Sequence, residues 1–247
     1  MSRQTITAFD WVPEFARGQV RDLRVRWALE EVGQPYDVRY LAQGEQKAPP
    51  HRARQPFGQV PTFEAGGQAD GQADGDGGLV LYESGAIVLH IAETHGHGGL
   101  MPAGAAGRAH ALEWAFAALN SVEPPIGDHA IATLFEEDKP WSAPRLPGIE
   151  ARIRERFGEV ADRLGDRDWY HGDFSAGDLL MVAVLRILRE SPLLDEHPAL
   201  VAYVARGEAR PAFARALADQ LAGFVGTPPP WFAEWDAKRK QREGETA

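Results

Sequence analysis

The stretch from Tyr82 to Ile91, YESGAIVLHI, contains a serine placed where a helix should begin. Ser84 precedes an apolar run with helical spacing, and a serine N-cap is often joined by a Glu or Gln three residues later. Ile87 stands at that position, so the first N–H groups lack a side-chain partner in this pattern. Such a helix start suits a carboxylate or a phosphate, because free donors meet the positive end of the helix dipole. The alternative is that water pairs these donors, as at most helix ends.

A second helix start, at FSAGDLL (174–180), differs from the first because its own side chains can close it. Ser175 is followed three residues later by Asp178, a near capping box with the shorter acid. Phe174 and Leu179 have the spacing of a hydrophobic staple. The helix that follows is apolar on almost every side, which is typical of a helix at the centre of a bundle.

Composition restricts the classes of protein and partner. The 247 residues include 26 basic and 36 acidic ones, a formal net charge of −10, so we expect no nucleic-acid partner. There is no cysteine, which excludes disulfides, thiolate metal sites and a cysteine nucleophile. We expect no membrane span, because no apolar run reaches the length of a spanning helix. The first residues lack a signal-peptide pattern, so the cytoplasm is the expected location.

The first 95 residues mix strand and helix patterns in the order β-α-β, a crossover, then β-β-α. Strand patterns occur in TITAF (5–9), YDVRYL (36–41), QVPTFEA (59–65) and LVLYE (79–83), and helical patterns from about 20 to 32 and from 84. Residues 104 to 224 contain no clear strand pattern. Helical periods lie there at about 105–121, 149–164, 175–189, 198–205 and 211–222.

These patterns predict an α/β unit followed by an all-α unit. We place the first domain at residues 1–98, the second at 104–226, and a tail at 227–247 that is stiff at its prolines and frayed at its charged end. The segment 124–148 is rich in proline, so only short helices are expected in it. The low-complexity stretch GGQADGQADGDGG (66–78) reads as a hairpin loop, and its acidic spacing lacks the ligand pattern of a calcium loop.

Four motifs in this order resemble the glutathione S-transferase superfamily, in its bacterial cytosolic form. They are VRWALEEVG (25–33), FGQVPTF (57–63), LYESGAIVLHIAE (81–93) and FSAGDLLMVAVL (174–185). The resemblance covers most of the chain. It implies a thioredoxin-like N-terminal domain that binds glutathione and a C-terminal helical bundle domain. It also implies a homodimer.

The resemblance also implies the residues of a glutathione site. In this family the bond before the proline of the VP pair is cis, so we expect a cis Val60–Pro61 bond; the alternative is a trans proline at the head of an edge strand. Val60 would offer its N–H and C=O to the cysteinyl part of glutathione. Glu83 would hold the γ-glutamyl ammonium, and Ser84 with a neighbouring N–H the α-carboxylate.

The segment DWVPEFARGQVRD (10–22) departs from the family pattern. Members usually present a Tyr, Ser or Cys after the first strand to favour the glutathione thiolate, but this segment contains no Tyr, Ser, Thr or Cys. A guanidinium beside the sulfur lowers a thiol pKa by its charge, so Arg17 is the first candidate for the catalytic group and Gln19 the second. The alternative is that both are surface residues of a loop. The other donors there are Trp11, Arg21 and the N–H groups from about Ala16 to Gln19.

Three weaker groups complete the candidates. Any of His51, Arg52 and Arg54 could face the glycyl carboxylate of glutathione. HGHGG (95–99) could bind a metal, but it fits a glycine-rich linker better, so we expect no metal cofactor. Aromatic residues of the helical half could line an apolar acceptor site or simply form core, and Trp231 and Phe232 could fold back as a lid. Those aromatic residues of the helical half are Trp114, Phe116, Trp141, Trp169 and Tyr170.

The resemblance therefore leads us to expect a glutathione transferase. It would use glutathione as co-substrate and add its thiolate to a small apolar electrophile, by lowering the thiol pKa and holding the sulfur in position. Two alternatives stay open. One is a binding or scaffold module without turnover, which the atypical 10–22 segment favours and the retained Glu83 and Ser84 oppose. The other is a glutathione-dependent isomerase or lyase.

Overall fold

The structure, a computed structural model, describes residues 4–65, 78–96 and 99–245. Nearly all of the low-complexity loop predicted at 66–78, and His97 of the HGHGG stretch, lie outside these ranges.

Four strands form one mixed sheet. They are β1 (Gln4–Phe9), β2 (Tyr36–Leu41), β3 (Thr62–Ala65) and β4 (Leu79–Tyr82), in the order β2-β1-β3-β4. β1 runs parallel to β2 and antiparallel to β3, and β3 runs antiparallel to β4. The four strand segments predicted from the sequence are confirmed.

The remaining elements are helical. In chain order the α-helices of the described residues are α1 (Asp22–Glu31), α2 (Pro49–Arg52), α3 (Ser84–His95), α4 (Ala105–Phe116), α5 (Glu123–Ala130), α6 (Ser142–Leu164), α7 (Ala176–Leu185), α8 (Pro192–Asp195), α9 (Pro198–Glu208), α10 (Pro211–Ala222) and α11 (Pro230–Glu245). Short 3₁₀ turns lie at Glu14–Ala16, Glu45–Lys47 and Arg186–Leu188, and π-helical turns at Ala117–Val122 and Ile131–Phe135.

Two helical segments differ from the prediction. The proline-rich stretch 124–148 was expected to hold only short helices, but α6 already begins at Ser142 and runs for 23 residues. Pro144 lies in its first turn, where a backbone N–H has no helical partner to lose. The tail was predicted to be stiff at its prolines and frayed at its charged end, and instead α11 runs from Pro230 to Glu245. A proline at a helix start is favourable because its fixed φ matches the helix.

The described residues group by their contacts into two compact units. The sheet unit draws on Met1–Leu23, Pro35–Ser84 and Leu217–Ala247, and the helical unit on Arg24–Gln34 and Gly85–Ala216. The domain boundaries at residues 98, 104 and 227 stay predictions.

The sheet unit is built around β1, which is buried on both of its faces. Ile6, Thr7 and Ala8 are each at most 1% exposed, as expected for a strand with a neighbour on each side. The Thr7 hydroxyl lies 3.0 Å from that of Thr62, and its oxygen accepts the Thr62 N–H at 2.7 Å. These contacts hold the start of β3 beside β1.

The helical unit is built around α7, every residue of which is buried. The predicted capping box at its start is present, formed by Ser175 and Asp178. Burial raises the pKa of the Asp178 carboxyl, although four hydrogen bonds act in the opposite direction. Within the described part of the chain, no helix has both the length and the apolar character needed to cross a bilayer.

Candidate functional site

The sheet register brings the predicted glutathione-binding residues to one end of the sheet. Thr62 of β3 pairs with Tyr82 of β4. Because the two strands are antiparallel, the residues just before Thr62 and just after Tyr82 leave the sheet at the same end. Val60 and Pro61 therefore lie near Glu83 and Ser84. The C-terminal end of β1 lies at this same end of the sheet, since β1 runs antiparallel to β3 and Ile6 pairs with Phe63.

Val60 has both backbone polar groups available. The Val60–Pro61 bond is cis, as expected. Val60 is outside β3, and among the described residues neither its N–H nor its C=O has a hydrogen-bond partner. The preceding residue is satisfied on both sides: the Gln59 N–H donates to Gln55 Oε1 at 3.2 Å, and the Gln59 C=O accepts from His51. A free N–H and C=O on one half-buried residue suit an extended peptide.

Glu83 presents a free carboxylate at the same end of the sheet. Its side chain is exposed, and no hydrogen bond or ion pair engages the carboxylate within the described residues. Its backbone has φ 69°, the left-handed region that a residue with a Cβ rarely adopts. Strain of this kind persists only where the surroundings impose it, and it is frequent at binding sites.

Ser84 is the first residue of α3, only 5% exposed. It already interacts with another group of the chain, so it is not free in this structure. Whether the start of α3 is open to an anion stays a prediction. Its hydroxyl and the first N–H groups of α3 still lie beside Glu83. The free charge at this position is therefore the carboxylate of Glu83.

The three basic candidates for the glycyl carboxylate are in different situations. His51 is buried, and its Nε2 lies 2.7 Å from the Gln59 oxygen, so it is occupied inside the loop. Arg54 donates to the Pro50 carbonyl at 2.7 Å and lies 3.3 Å from Glu64, which also pairs with Arg39. Only Arg52 is exposed and without a partner in the described part of the chain.

Lys47 is a cation that the sequence reasoning missed. It is exposed, and its Nζ donates to the Phe57 carbonyl at 3.0 Å, three residues before Val60. An ammonium carries three donors, so two remain for an anion. The proline-rich loop between Lys47 and Val60 concealed this proximity, because separation along the chain says nothing about a fold-back contact.

The two catalytic candidates lie in the segment after β1. Arg17 is half-buried; its Nε lies 3.3 Å from Glu14, and its guanidinium stands 5.8 Å from the ring centre of Phe224. Gln19 takes part in a turn through its N–H, which donates to the Ala16 carbonyl at 3.0 Å. The N–H of Ala16 is used in the same way, by Pro13. The backbone N–H groups of Ala16, Arg17 and Gln19 are therefore already engaged in turns of this segment.

Helix α11 packs on this segment through Phe232, whereas Trp231, the other residue of the lid hypothesis, is 55% exposed, so a lid over the site stays a prediction. The Phe232 ring meets Trp11 edge-on at 4.7 Å, and Trp235 lies 5.9 Å from Phe15. The Arg239 guanidinium lies 5.9 Å from the centre of the Phe15 ring. Phe232, Trp235 and Arg239 follow the helical spacing i, i+3, i+7, a pattern that could have identified this helix from the sequence.

The aromatic residues of the helical unit divide into core and surface. Trp114 stacks on Tyr170 at 3.8 Å and Trp169 packs against Phe174, all of them buried. Phe116 and Trp141 are exposed. Among the described residues, no group of three or more His, Asp or Glu side chains is arranged to hold a metal.

Known proteins share this architecture. The family profile "Glutathione S-transferase, N-terminal domain" matches residues 15–93. A probable glutathione S-transferase of Oryza sativa, GSTF2, is 29% identical over 194 residues, covering 74% of this chain and 85% of the rice protein. Glutathione S-transferase 4 of Zea mays is 38% identical over 74 residues, so this chain covers only 28% of the maize protein in that match.

Two further similarities bear on function. Maleylacetoacetate isomerase of Rhizobium meliloti is 29% identical over 205 residues, 80% of this chain and 91% of the isomerase. The crystal structure of a glutathione transferase from Burkholderia graminis, with two glutathione molecules bound per subunit, has a TM-score of 0.71 at 25% identity and covers 87% of each chain. The fold is thus a thioredoxin-like domain followed by a helical region, and the family profile, the curated relatives and the solved structures together support the glutathione S-transferase superfamily.

Proposed function

We propose that this protein binds glutathione and conjugates its thiolate to a small apolar electrophile, acting in the cytoplasm as a homodimer. The observation that carries the proposal concerns one end of the sheet. There, among the described residues, the Val60 backbone and the Glu83 carboxylate both lack a partner. A peptide that bears an ammonium group next to an extended segment satisfies both. Similarity to this superfamily identifies glutathione as the first peptide to test.

Each polar group of glutathione has a partner in this arrangement. The γ-glutamyl ammonium pairs with Glu83, and the α-carboxylate meets the Ser84 hydroxyl and the start of α3. The cysteinyl N–H and C=O pair with the C=O and N–H of Val60. Lys47 is our candidate for the glycyl carboxylate, with Arg52 as the alternative.

The affinity for glutathione should depend strongly on the charge at residue 83. We expect Glu83→Gln to raise the dissociation constant about tenfold or more, because it replaces a charge-assisted hydrogen bond with a neutral one. Glu83→Gly should weaken glutathione binding to the same extent. Its free energy of unfolding should nevertheless be about 1 kcal/mol higher than that of the wild type, since glycine adopts φ 69° freely. Titration calorimetry and chemical denaturation measure the two quantities. Tight binding by Glu83→Gln, or a destabilised Glu83→Gly, would contradict this placement.

Arg17 is proposed to favour the thiolate of bound glutathione, and its contact with Glu14 sharpens the test. Arg17→Ala should raise the pKa of the bound thiol by about one unit, because a nearby positive charge is lost. Glu14→Gln should lower that pKa, since the guanidinium is then no longer partly neutralised. Absorbance of the thiolate against pH follows both variants. If neither variant moves the thiol pKa, Gln19 becomes the next residue to replace.

The isomerase reading is the second candidate, and the similarity to the Rhizobium enzyme favours it specifically. It keeps the same glutathione site and changes only the acceptor. Assaying the purified protein with chloronitrobenzenes and with maleylacetoacetate separates the two activities. A protein that binds glutathione and turns over neither compound would favour the scaffold alternative.

The proposed homodimer has an observable candidate surface in the sheet unit. Phe57 is 58% exposed and lies 6.1 Å from the ring of Tyr82, which is also exposed. Two exposed aromatic rings side by side suit a protein interface. Sedimentation velocity reports the oligomeric state directly.

A further inference from the structure

The peptide unit that joins Gln59 to Val60 is held from one side by a buried histidine. His51 is 5% exposed, and its Nε2 lies 2.7 Å from the Gln59 carbonyl oxygen. A carbonyl oxygen can only accept, so Nε2 carries the proton and donates. This bond is short for an N–H···O contact, which indicates a well-formed hydrogen bond.

The surrounding loop holds the histidine in place. His51 lies in α2, and its carbonyl accepts the N–H of Gln55 at 2.9 Å. Gln55, 2% exposed, in turn accepts from Gly58 through its backbone and from Gln59 through its side chain. His51 and Gln55, whose side chains both hydrogen-bond to Gln59, are therefore linked to each other by a backbone hydrogen bond.

The planarity of the peptide carries this constraint to Val60. The C=O of Gln59 and the N–H of Val60 belong to one planar unit and point in opposite directions. A donor fixed on the Gln59 oxygen therefore fixes the direction of the Val60 N–H. It also polarises the unit, and a hydrogen bond accepted by the carbonyl strengthens the N–H as a donor. Over the described ranges 4–65, 78–96 and 99–245, that N–H has no hydrogen-bond partner.

We propose that His51 is a positioning residue, which acts through the Gln59–Val60 peptide to aim and strengthen the Val60 N–H toward the peptide ligand. It does not contact the ligand. This inference rests on the proposed binding of glutathione, in which the cysteinyl carbonyl accepts from the Val60 N–H. The charge of residue 83 is a separate determinant, so the two can fail independently.

A matched pair of variants tests the reach of the donor. In His51→Gln the amide nitrogen lies close to the position of Nε2, so the bond to Gln59 is kept. In His51→Asn the amide is too short to reach it. We expect His51→Asn to weaken glutathione binding about three- to tenfold, the effect of one hydrogen bond, and His51→Gln to bind within about twofold of the wild type. His171→Asn, at an exposed histidine of the helical unit, should bind as the wild type does.

An altered ligand separates positioning from general damage to the loop. An analogue of glutathione with an ester in place of the Cys–Gly amide has a weaker acceptor at the cysteinyl carbonyl. In the wild type the analogue should bind several-fold more weakly than glutathione. That ratio should shrink toward one in His51→Asn and persist in His51→Gln, whereas a merely structural histidine would leave it unchanged.

Calorimetry with glutathione and with the ester decides the outcome. If the wild type does not bind glutathione, the proposed function fails and this inference with it. If the wild type binds and His51→Asn binds equally well, or His51→Gln is as weak as His51→Asn, or the ester ratio is the same in all variants, only the inference is overturned. Should His51→Asn not fold, His51→Phe keeps the ring volume without the donor and takes its place.

Discussion

Replacing Asp178 by asparagine is expected to lower the free energy of unfolding by about 3–5 kcal/mol. The carboxylate, 1% exposed, accepts four hydrogen bonds on two oxygens. Oδ1 accepts from the Tyr170 N–H at 3.0 Å and the Tyr203 hydroxyl at 2.9 Å. Oδ2 accepts from the Ser175 N–H at 3.0 Å and from its hydroxyl at 2.8 Å. Asparagine turns an NH₂ group toward one pair of these donors, which leaves buried donors without acceptors.

The expected loss is a balance, because burial of the charged carboxylate opposes its hydrogen bonds. Burial raises the pKa of Asp178, so the neutral amide removes part of that desolvation penalty. Ser191→Ala is the matched control. The Ser191 hydroxyl caps α8 by accepting one hydrogen bond, from the Leu193 N–H at 3.3 Å. We expect it to lose about 1 kcal/mol at most. Urea denaturation measures both, and an Asp178→Asn protein as stable as the control would refute this account of the α7 start.

The ion pair between Arg24 and Glu123 should show the second large effect. The guanidinium donates from two nitrogens to the two carboxylate oxygens, at 3.1 and 2.9 Å, and the side chains are 5% and 11% exposed. Arg24→Met removes the bidentate partner of a buried carboxylate, and we expect a loss of about 3–5 kcal/mol. The double change of Arg24→Met with Glu123→Leu should recover most of that loss, because neither charge of the pair is left without its partner.

An exposed arginine–glutamate pair supplies the control. Arg154 Nε donates to both oxygens of Glu196, at 2.8 and 3.1 Å, with both side chains 43% exposed. Arg154→Met should change stability little, because solvent screens exposed charges. Thermal and urea unfolding compare the three variants. A double variant no more stable than Arg24→Met alone would show that the loss comes from the volume of the arginine and not from the stranded charge.

Features that depend on neighbouring residues were predictable from the sequence. The capping box of Ser175 and Asp178 spans one helical turn, so residue spacing alone identifies it. The β-strands follow from alternation over a few residues, and their ends were placed within one residue except at the start of β3, which begins at Thr62 and not at residue 59. The expected cis bond before Pro61 came from the resemblance of a short motif.

Features that depend on distant residues were not predictable in this way. α11 contacts the segment after β1 through pairs such as Trp11 with Phe232, more than two hundred residues apart. His51 was considered as a ligand contact, yet the fold buries it beneath the Gln59 carbonyl. Lys47 became a candidate for the glycyl carboxylate only through the structure, in which the loop folds back and the Lys47 ammonium reaches the Phe57 carbonyl.

The amino-acid sequence by itself determined the two-part architecture, the resemblance to a family and the candidate residues for a peptide ligand, because these follow from local periodicity and short motifs. Tertiary structure decided which of those groups are free. Within the part of the chain that the structure describes, Val60 and Glu83 are unpaired at one end of the sheet, whereas Ser84, Arg17 and His51 already interact with other groups. The physical reason is that strand register and loop closure bring together residues that sequence spacing keeps apart, and such long-range contacts determine which donors and acceptors remain for a ligand.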